Sequence, residues 1–179
     1  MMPETAMLLV RRKLPALVRI PLAVLLAFSF ADAALAEEPV IFIVRHAERA
    51  AISGRVPSDT GLSATGRARA DALASELKDA QIAAIYTSEF QRTKETAAPL
   101  AKSLGIRPEV VSADDLRGLL AELKAARGNV LVVGHSNTIP QILNGLGVPG
   151  RITIAESDYD NLFVVVRDPK PRLIHLHYR

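Results

Sequence analysis

Two histidines and two arginines stand just beyond short apolar runs in this chain. Arg45-His46 closes the run from Val40 to Val44, Thr87-Ser88 with Arg92-Thr93 follows Ile82 to Tyr86, and His135 follows Val130 to Val133. These residue types in these places suit a phosphate. A guanidinium offers a planar fork of donors that matches phosphate oxygens. A neutral imidazole can attack phosphorus or move protons near neutral pH. In open α/β sheets, ligands bind beyond the carboxyl ends of the strands, so the three clusters could meet at one mouth. A helix starting near Phe90 would add its positive N-terminal end there. Read singly, each histidine could equally be an ordinary loop residue.

The elements that must position these groups alternate along the chain. Val40 to Val44 is a continuous apolar run of the kind buried on both faces of a sheet. Ser63 can cap a helix with Ala70, Leu73, Ala74 and Leu77 inward. Ile82 to Tyr86 reads as a second strand. A helix from about Phe90 to Leu104 turns Ala97, Leu100, Ala101 and Leu104 inward and stops at Gly105; Pro99 inside it predicts a kink or a split. Val110-Val111 is a brief strand. Asp114 can cap a helix with Leu116, Leu119, Leu120 and Leu123 inward, ending by Gly128. Val130 to Val133 is the next strand, and a helix starts near Thr138-Ile139-Pro140. Leu162 to Val166 and Leu173 to Tyr178 are strands with no helix between them, joined as a hairpin through Asp168-Pro169. The pattern predicts an α/β fold: a three-layer α/β/α sandwich whose sheet is mostly parallel with an antiparallel edge.

Composition narrows the chemistry further. The 179 residues include no Cys and no Trp, which excludes disulfides, thiolate zinc sites, iron–sulfur clusters and cysteine nucleophiles. The first 36 residues read as a leader: Arg11, Arg12, Lys13 and Arg19 come first, then an uncharged run from Ile20 to Ala31, then Ala34-Leu35-Ala36 before Glu37-Glu38. That is the order of a secretory signal peptide with its cleavage site. The run is shorter than the roughly 20 residues a spanning helix needs, so no permanent anchor is expected, the alternative being an uncleaved one extending back from Leu14. Residues 37–179 are then the mature domain. The leader holds four of the 22 basic residues and two of the 19 acidic ones, Glu4 and Asp32. The formal +3 is therefore largely the leader's, and no run of five like charges remains to suggest nucleic acid.

With these residues in view, the chain resembles the histidine phosphatase superfamily, the phosphoglycerate mutase-like fold. Val44-Arg45-His46-Ala47-Glu48 resembles the Arg-His-Gly signature. Leu62-Ser63-Ala64-Thr65-Gly66, Tyr86-Thr87-Ser88 with Arg92-Thr93 and Thr96-Ala97, and Val133-Gly134-His135-Ser136 follow in the family's order. The resemblance implies a nucleophile at His46, which takes the phosphoryl group as a phosphohistidine. It implies a pocket of Arg45, Arg92 and His135 around the transferring oxygens, with Ser88 as a further substrate contact. It implies no metal and no cofactor, since cationic side chains meet the charge that builds on those oxygens. Ala47 stands where the signature has Gly. The leaving group's proton donor sits in no recognisable motif: Glu109, Asp114, Asp115 and Glu122 occupy one candidate stretch, and Ser136 follows the second histidine where another branch has Asp. Glu48 is the expected donor, with an ion pair to Arg49, Arg92 or another pocket arginine as its alternative.

The expected protein is thus a periplasmic or secreted phosphatase that hydrolyses a small phosphomonoester. Two alternatives accompany it: a phosphohistidine phosphatase, and a non-catalytic binder of phosphorylated envelope components. Other polar residues carry blander readings as well. His175 and His177 share a face of one strand and could begin a zinc site, yet lack a third ligand and read as edge-strand residues. Glu156, Asp158 and Asp160 around Tyr159 are either a pocket rim or a solvated acidic loop. Arg49 and Arg55 lie in the loop from 49 to 61, where one of them could read the substrate.

Overall fold

The computed structural model describes residues 38–51, 59–167 and 170–179. The expected leader, Arg55 and the Asp168-Pro169 turn lie outside these described residues. The elements are β1 (Ile41–Arg45), α1 (Ala64–Leu77), β2 (Ile82–Thr87), α2 (Gln91–Leu104), β3 (Glu109–Val110), α3 (Leu116–Ala125), β4 (Asn129–Gly134), α4 (Thr138–Gly145), β5 (Asn161–Val166) and β6 (Arg172–His177). They form one six-stranded sheet in the order β3-β2-β4-β1-β5-β6. The first four strands of that order run parallel. β5 is antiparallel to β1, and β6 is antiparallel to β5. The expected mixed sheet with its antiparallel edge is what forms.

Side chains alternate across this sheet, so each central strand feeds two cores. Ile41, Ile43, Val130 and Val132 face Leu119 and Leu123 of α3 and Ile139, Ile142 and Leu143 of α4. Val44, Leu131 and Val133 face Leu73 and Leu77 of α1 and Ala97 and Leu100 of α2 on the other side. Helices on both faces make the three layers, and the central strands β1 and β4 are buried almost throughout, as strands covered on both faces are.

Local signals decide most of the helix ends. Ser63 caps α1 by accepting from the Gly66 N–H at 3.0 Å. Gly105 ends α2 in the left-handed conformation, with φ of 67°. One expectation is corrected, and the split that was one of two outcomes expected at Pro99 does not occur. Asp115, not Asp114, caps α3, because its carboxylate reaches the Gly118 N–H at 2.8 Å; the Asp114 N–H instead meets Ser112 Oγ. Pro99 does not split α2, which runs unbroken from Gln91 to Leu104. The buried residues Ala97, Leu100 and Ala101 flank the proline, so packing holds both halves against the sheet across the missing backbone bond.

One contact ties the fold directly to the candidate site. The Ser63 N–H donates to the Glu48 carbonyl at 2.9 Å, and a methyl group at Gly66 would run into that same carbonyl oxygen. The start of α1 therefore lies against the backbone that follows His46, an approach open only to glycine. Gly66→Ala is expected to cost about 1–3 kcal/mol, since backbone rather than a flexible side chain would have to yield. A denaturant titration reads the loss, and an unchanged midpoint would show that the contact is slack.

Candidate active site

The parallel register lines up the ends of three neighbouring strands. Arg45 of β1 pairs with Gly134 of β4, and Thr87 of β2 pairs with Val133 of β4. The next residues out are therefore His46, His135 and Ser88, side by side at one edge of the sheet. The His46 N–H donates to the Gly134 carbonyl at 2.9 Å, and the two imidazole rings stand 5.3 Å apart. Arg92, from the first turn of α2, reaches the same place, with Nη2 3.4 Å from His135 Nδ1. All five of Arg45, His46, Ser88, Arg92 and His135 are buried.

Hydrogen bonds set the chemistry of each imidazole. His46 Nδ1 lies 2.8 Å from the Ala47 carbonyl oxygen. A carbonyl only accepts, so Nδ1 carries the proton and Nε2 keeps its lone pair. His135 is arranged the other way round. Arg92 only donates, so His135 Nδ1 accepts, and Nε2–H donates to Ser88 Oγ at 2.9 Å. Ser88 in turn meets Thr93 Oγ1 at 2.9 Å, and Thr93 donates to the Phe90 carbonyl at 2.8 Å. Both ring nitrogens of His135 are thus committed, one as acceptor and one as donor, while Nε2 of His46 has no partner among the described residues.

Charge favours the same state. Burial pushes His46 down to about 3, assisted by His135 and the guanidiniums of Arg92 and Arg45. Burial, with Arg92 beside it, lowers His135 to about 4. Both rings are neutral across the physiological range, and a neutral imidazole is what nucleophilic attack needs. The unfolded chain takes up protons near pH 6.5 that the folded chain refuses, so stability rises with pH over that range. The melting temperature is expected to fall as pH drops from 6.5 to 5, and His46→Ala should flatten that slope. Melts at a series of pH values check it; equal slopes in the two proteins would show that His46 titrates normally.

Each pocket arginine lies against an aromatic ring, and Arg45 is also held by a loop. Arg45 Cζ lies 4.2 Å from the centre of the Tyr159 ring, and Arg92 Cζ 4.1 Å from that of Phe90. Aromatic residues are only 4% of the chain, yet two of them cover the two pocket guanidiniums, where such contacts stabilise by about 0.5–2 kcal/mol. Arg45 Nη1 donates to the carbonyls of Ala155, Glu156 and Asp158 at 2.9, 2.9 and 3.3 Å. Its Nη2 donates to Glu156 Oε2 at 2.8 Å. The buried Nε–H of Arg45 has no acceptor among the described residues, so that donor is open to a ligand oxygen.

Ala47, at the signature's glycine position, is accommodated. Its methyl is fully buried in a small cluster with Leu62 and Ala70, and its N–H donates to Thr96 Oγ1 at 2.9 Å. Thr96 and Thr93 therefore act as hydroxyl anchors, one under the backbone after His46 and one under Ser88.

Glu48 corrects the expectation of a proton donor. Arg69 of α1 grips its carboxylate through Nε and Nη2, at 2.9 and 2.7 Å to Oε1. Burial alone would raise Glu48, but the Arg69 hydrogen bonds hold it below the ordinary value. A carboxylate so paired is ionised at neutral pH and has no proton to give. Its partner is Arg69, not Arg49 or Arg92.

The acidic loop before β5 is a rim as well as a loop. Glu156 binds Arg45 through one oxygen and accepts from Ser136 Oγ at 2.9 Å through the other. Tyr159 lies 6.1 Å from the His46 ring. Neither residue sits in a motif, and the only signal at sequence level was an aromatic set among acids. Arg49 bridges Leu62 across the start of the 49–61 loop, and its charge bears on Arg92 and His135. His175 stacks on Phe163 at 4.5 Å and meets Asn161 Oδ1, while His177 pairs with Asp160. Among the described residues, no group of three or more His, Asp or Glu side chains could hold a metal ion. None of their helices is long and apolar enough to cross a membrane.

Known proteins share this architecture. The protein histidine phosphatase SixA, solved with tungstate, superposes with a TM-score of 0.61 at 20% identity, covering 77% of this chain and 96% of that one. The mycobacterial glucosyl-3-phosphoglycerate phosphatase Rv2419c, solved with VO3, gives 0.60 at 18% identity, covering 79% and 100%. The uncharacterised protein Rv0525 of Mycobacterium tuberculosis is 45% identical over 69 residues, which span 36% of this chain and 34% of that protein. Residues 41–119 match the model of the histidine phosphatase superfamily (branch 1), and the chain spans about a third of the length of the curated relative it matches.

Proposed function

We propose that this protein is a phosphatase that hydrolyses a small phosphomonoester through a phosphohistidine on His46. The observation that carries this reading is the pairing of His46 Nδ1–H with the Ala47 carbonyl, which leaves a neutral Nε2 lone pair beside Arg45, Arg92 and His135. In the first half-reaction Nε2 attacks phosphorus, the P–O bond breaks, and the leaving oxygen departs with its electron pair. In the second, water attacks phosphorus, the P–N bond breaks, and its electron pair returns to Nε2. The Arg45 Nε–H and the Arg92 guanidinium meet the charge that gathers on the equatorial oxygens. Fixed donors of this kind need no rearrangement as the reaction proceeds. With Glu48 ionised, the first step suits leaving groups that depart without a protein acid, such as phenolates.

The test is direct. The protein is mixed with p-nitrophenyl phosphate in the presence of chelator, quenched in alkali within milliseconds, and its peptides weighed. Phosphate on His46 supports the reading. Turnover with no phosphopeptide, or turnover that needs added metal, overturns it. A phosphohistidine phosphatase remains a second reading, favoured by the absence of a committed acid near the leaving group; a phosphohistidine peptide tried beside p-nitrophenyl phosphate separates the two. A binder without catalysis would retain phosphate and turn over neither. Export to the periplasm or the medium is proposed from the order of residues in the first 36 positions; the N-terminal sequence of protein recovered from each cell fraction tests it.

A further inference from the structure

The second half-reaction needs a group to take a proton from the attacking water, and the pocket as described assigns none. The carboxylates around it are mostly committed. Glu48 is gripped by Arg69. Asp59 accepts from the Gln91 N–H, Glu89 from the Ala113 N–H, and Asp158 from the Ala155 N–H. Glu156 differs from all of these. Its two oxygens are held by side chains of the site itself: Oε2 by Arg45 and Oε1 by Ser136, the residue directly after His135. Those contacts aim the carboxylate without burying it, since the side chain is 78% exposed.

The placement is also right for the direction of attack. His46 is 4% exposed and forms the floor of the site, so its Nε2 approaches phosphorus from within. Displacement in line requires the water to come from the opposite side, which is the open mouth. Glu156 is open to that solvent and is anchored to the arginine next to the nucleophile in sequence. The Ser136 hydroxyl and the Arg45 charge both hold it below its ordinary value, so it is ionised and able to accept a proton over the working range.

We propose that Glu156 is the general base of the second half-reaction, oriented by Arg45 and Ser136 towards the water that attacks phospho-His46. This rests on the phosphohistidine reading above. In the step itself, a lone pair on the water oxygen forms the new bond to phosphorus. The water proton passes to a Glu156 oxygen. The P–N bond breaks with its pair returning to His46 Nε2, inorganic phosphate leaves, and Glu156 releases the proton to solvent. The first half-reaction asks nothing of Glu156, so the two halves respond differently to its removal.

Glu156→Gln tests this. The amide oxygen can still accept from Arg45 or Ser136, so the loop keeps its anchor, but the side chain can no longer take a proton. With p-nitrophenyl phosphate, release of the phenolate reports the first half-reaction and needs no acid. The expected result is a burst of phenolate close to one per protein, at a rate within about threefold of the parent protein. A steady state slower by roughly 10²-fold should follow, with phospho-His46 accumulating in the quenched sample. Glu156→Ala should behave alike, with part of its steady-state rate restored by added formate. Equal slowing of both halves would show that Glu156 merely props Arg45, and a faster steady state would show that it competes with substrate for Arg45. Either result overturns the proposal. If the parent protein turns over without any phospho-His46, the underlying reading fails, and this inference fails with it.

Discussion

His46→Ala is expected to lower the hydrolysis of p-nitrophenyl phosphate by roughly 10⁴-fold or more, the scale seen when a nucleophile is removed from a group of residues that act together. The structure offers no substitute. His135 is the nearest imidazole, at 5.3 Å, but its Nδ1 faces Arg92 and its Nε2 faces Ser88. The hydroxyls of Ser88 and Thr93 are tied into one chain that ends on backbone carbonyls. The loss is expected in the chemical step rather than in folding, because among the described residues the His46 side chain hydrogen-bonds to the adjacent Ala47 carbonyl alone. Progress curves in chelator, beside far-ultraviolet circular dichroism, check both halves of the statement. Residual turnover above about one part in a thousand would mean that another group attacks phosphorus.

Arg45→Lys is expected to be nearly as damaging as Arg45→Ala, although it keeps the positive charge. Arg45 does more than supply charge. One terminal nitrogen gathers three carbonyls of the 155–158 turn, the other meets Glu156, and the buried Nε–H faces no acceptor among the described residues. A lysine ammonium is a single point with three donors on a flexible stem. It cannot hold the turn and also present a donor to a phosphoryl oxygen. The loss of one well-placed transition-state donor lowers turnover by about 10²–10³-fold. The carbonyls left without a donor lower stability by about 1–3 kcal/mol. The readouts are kcat with p-nitrophenyl phosphate and the midpoint of a denaturant titration. If Arg45→Lys restored most of the activity lost in Arg45→Ala, charge alone would account for this residue.

The chain's periodicities made most of the fold legible. Continuous apolar runs at Val40–Val44 and Val130–Val133 marked strands covered on both faces, and the sheet buries them so. Errors fell where two equal local signals compete or where packing overrides one. Asp114 and Asp115 are both capping residues by type, and only the approach of the Gly118 N–H selects the second. Pro99 breaks an isolated helix, but here its neighbours are clamped to the sheet.

The candidate site divides along the same line. Arg45, His46, Ser88, Arg92 and His135 follow strands whose order and direction are set by patterning, so their types and places could be read from the chain. Their convergence follows from parallel register between β1, β2 and β4. Which carboxylate belongs to the site could not be read in that way. Glu48 is two residues from His46, yet Arg69 takes it; Glu156 is far along the chain, yet its carboxylate binds Arg45. The tautomer of His46 likewise depends on where the Ala47 carbonyl points. Residue type and spacing by themselves determined the scaffold and the cationic pocket, because apolar periodicity and strand ends are properties of neighbouring residues. Only the tertiary structure decided which nitrogen of His46 is left without a partner among the described residues and which acid pairs with Arg45, because each depends on partners brought together by folding.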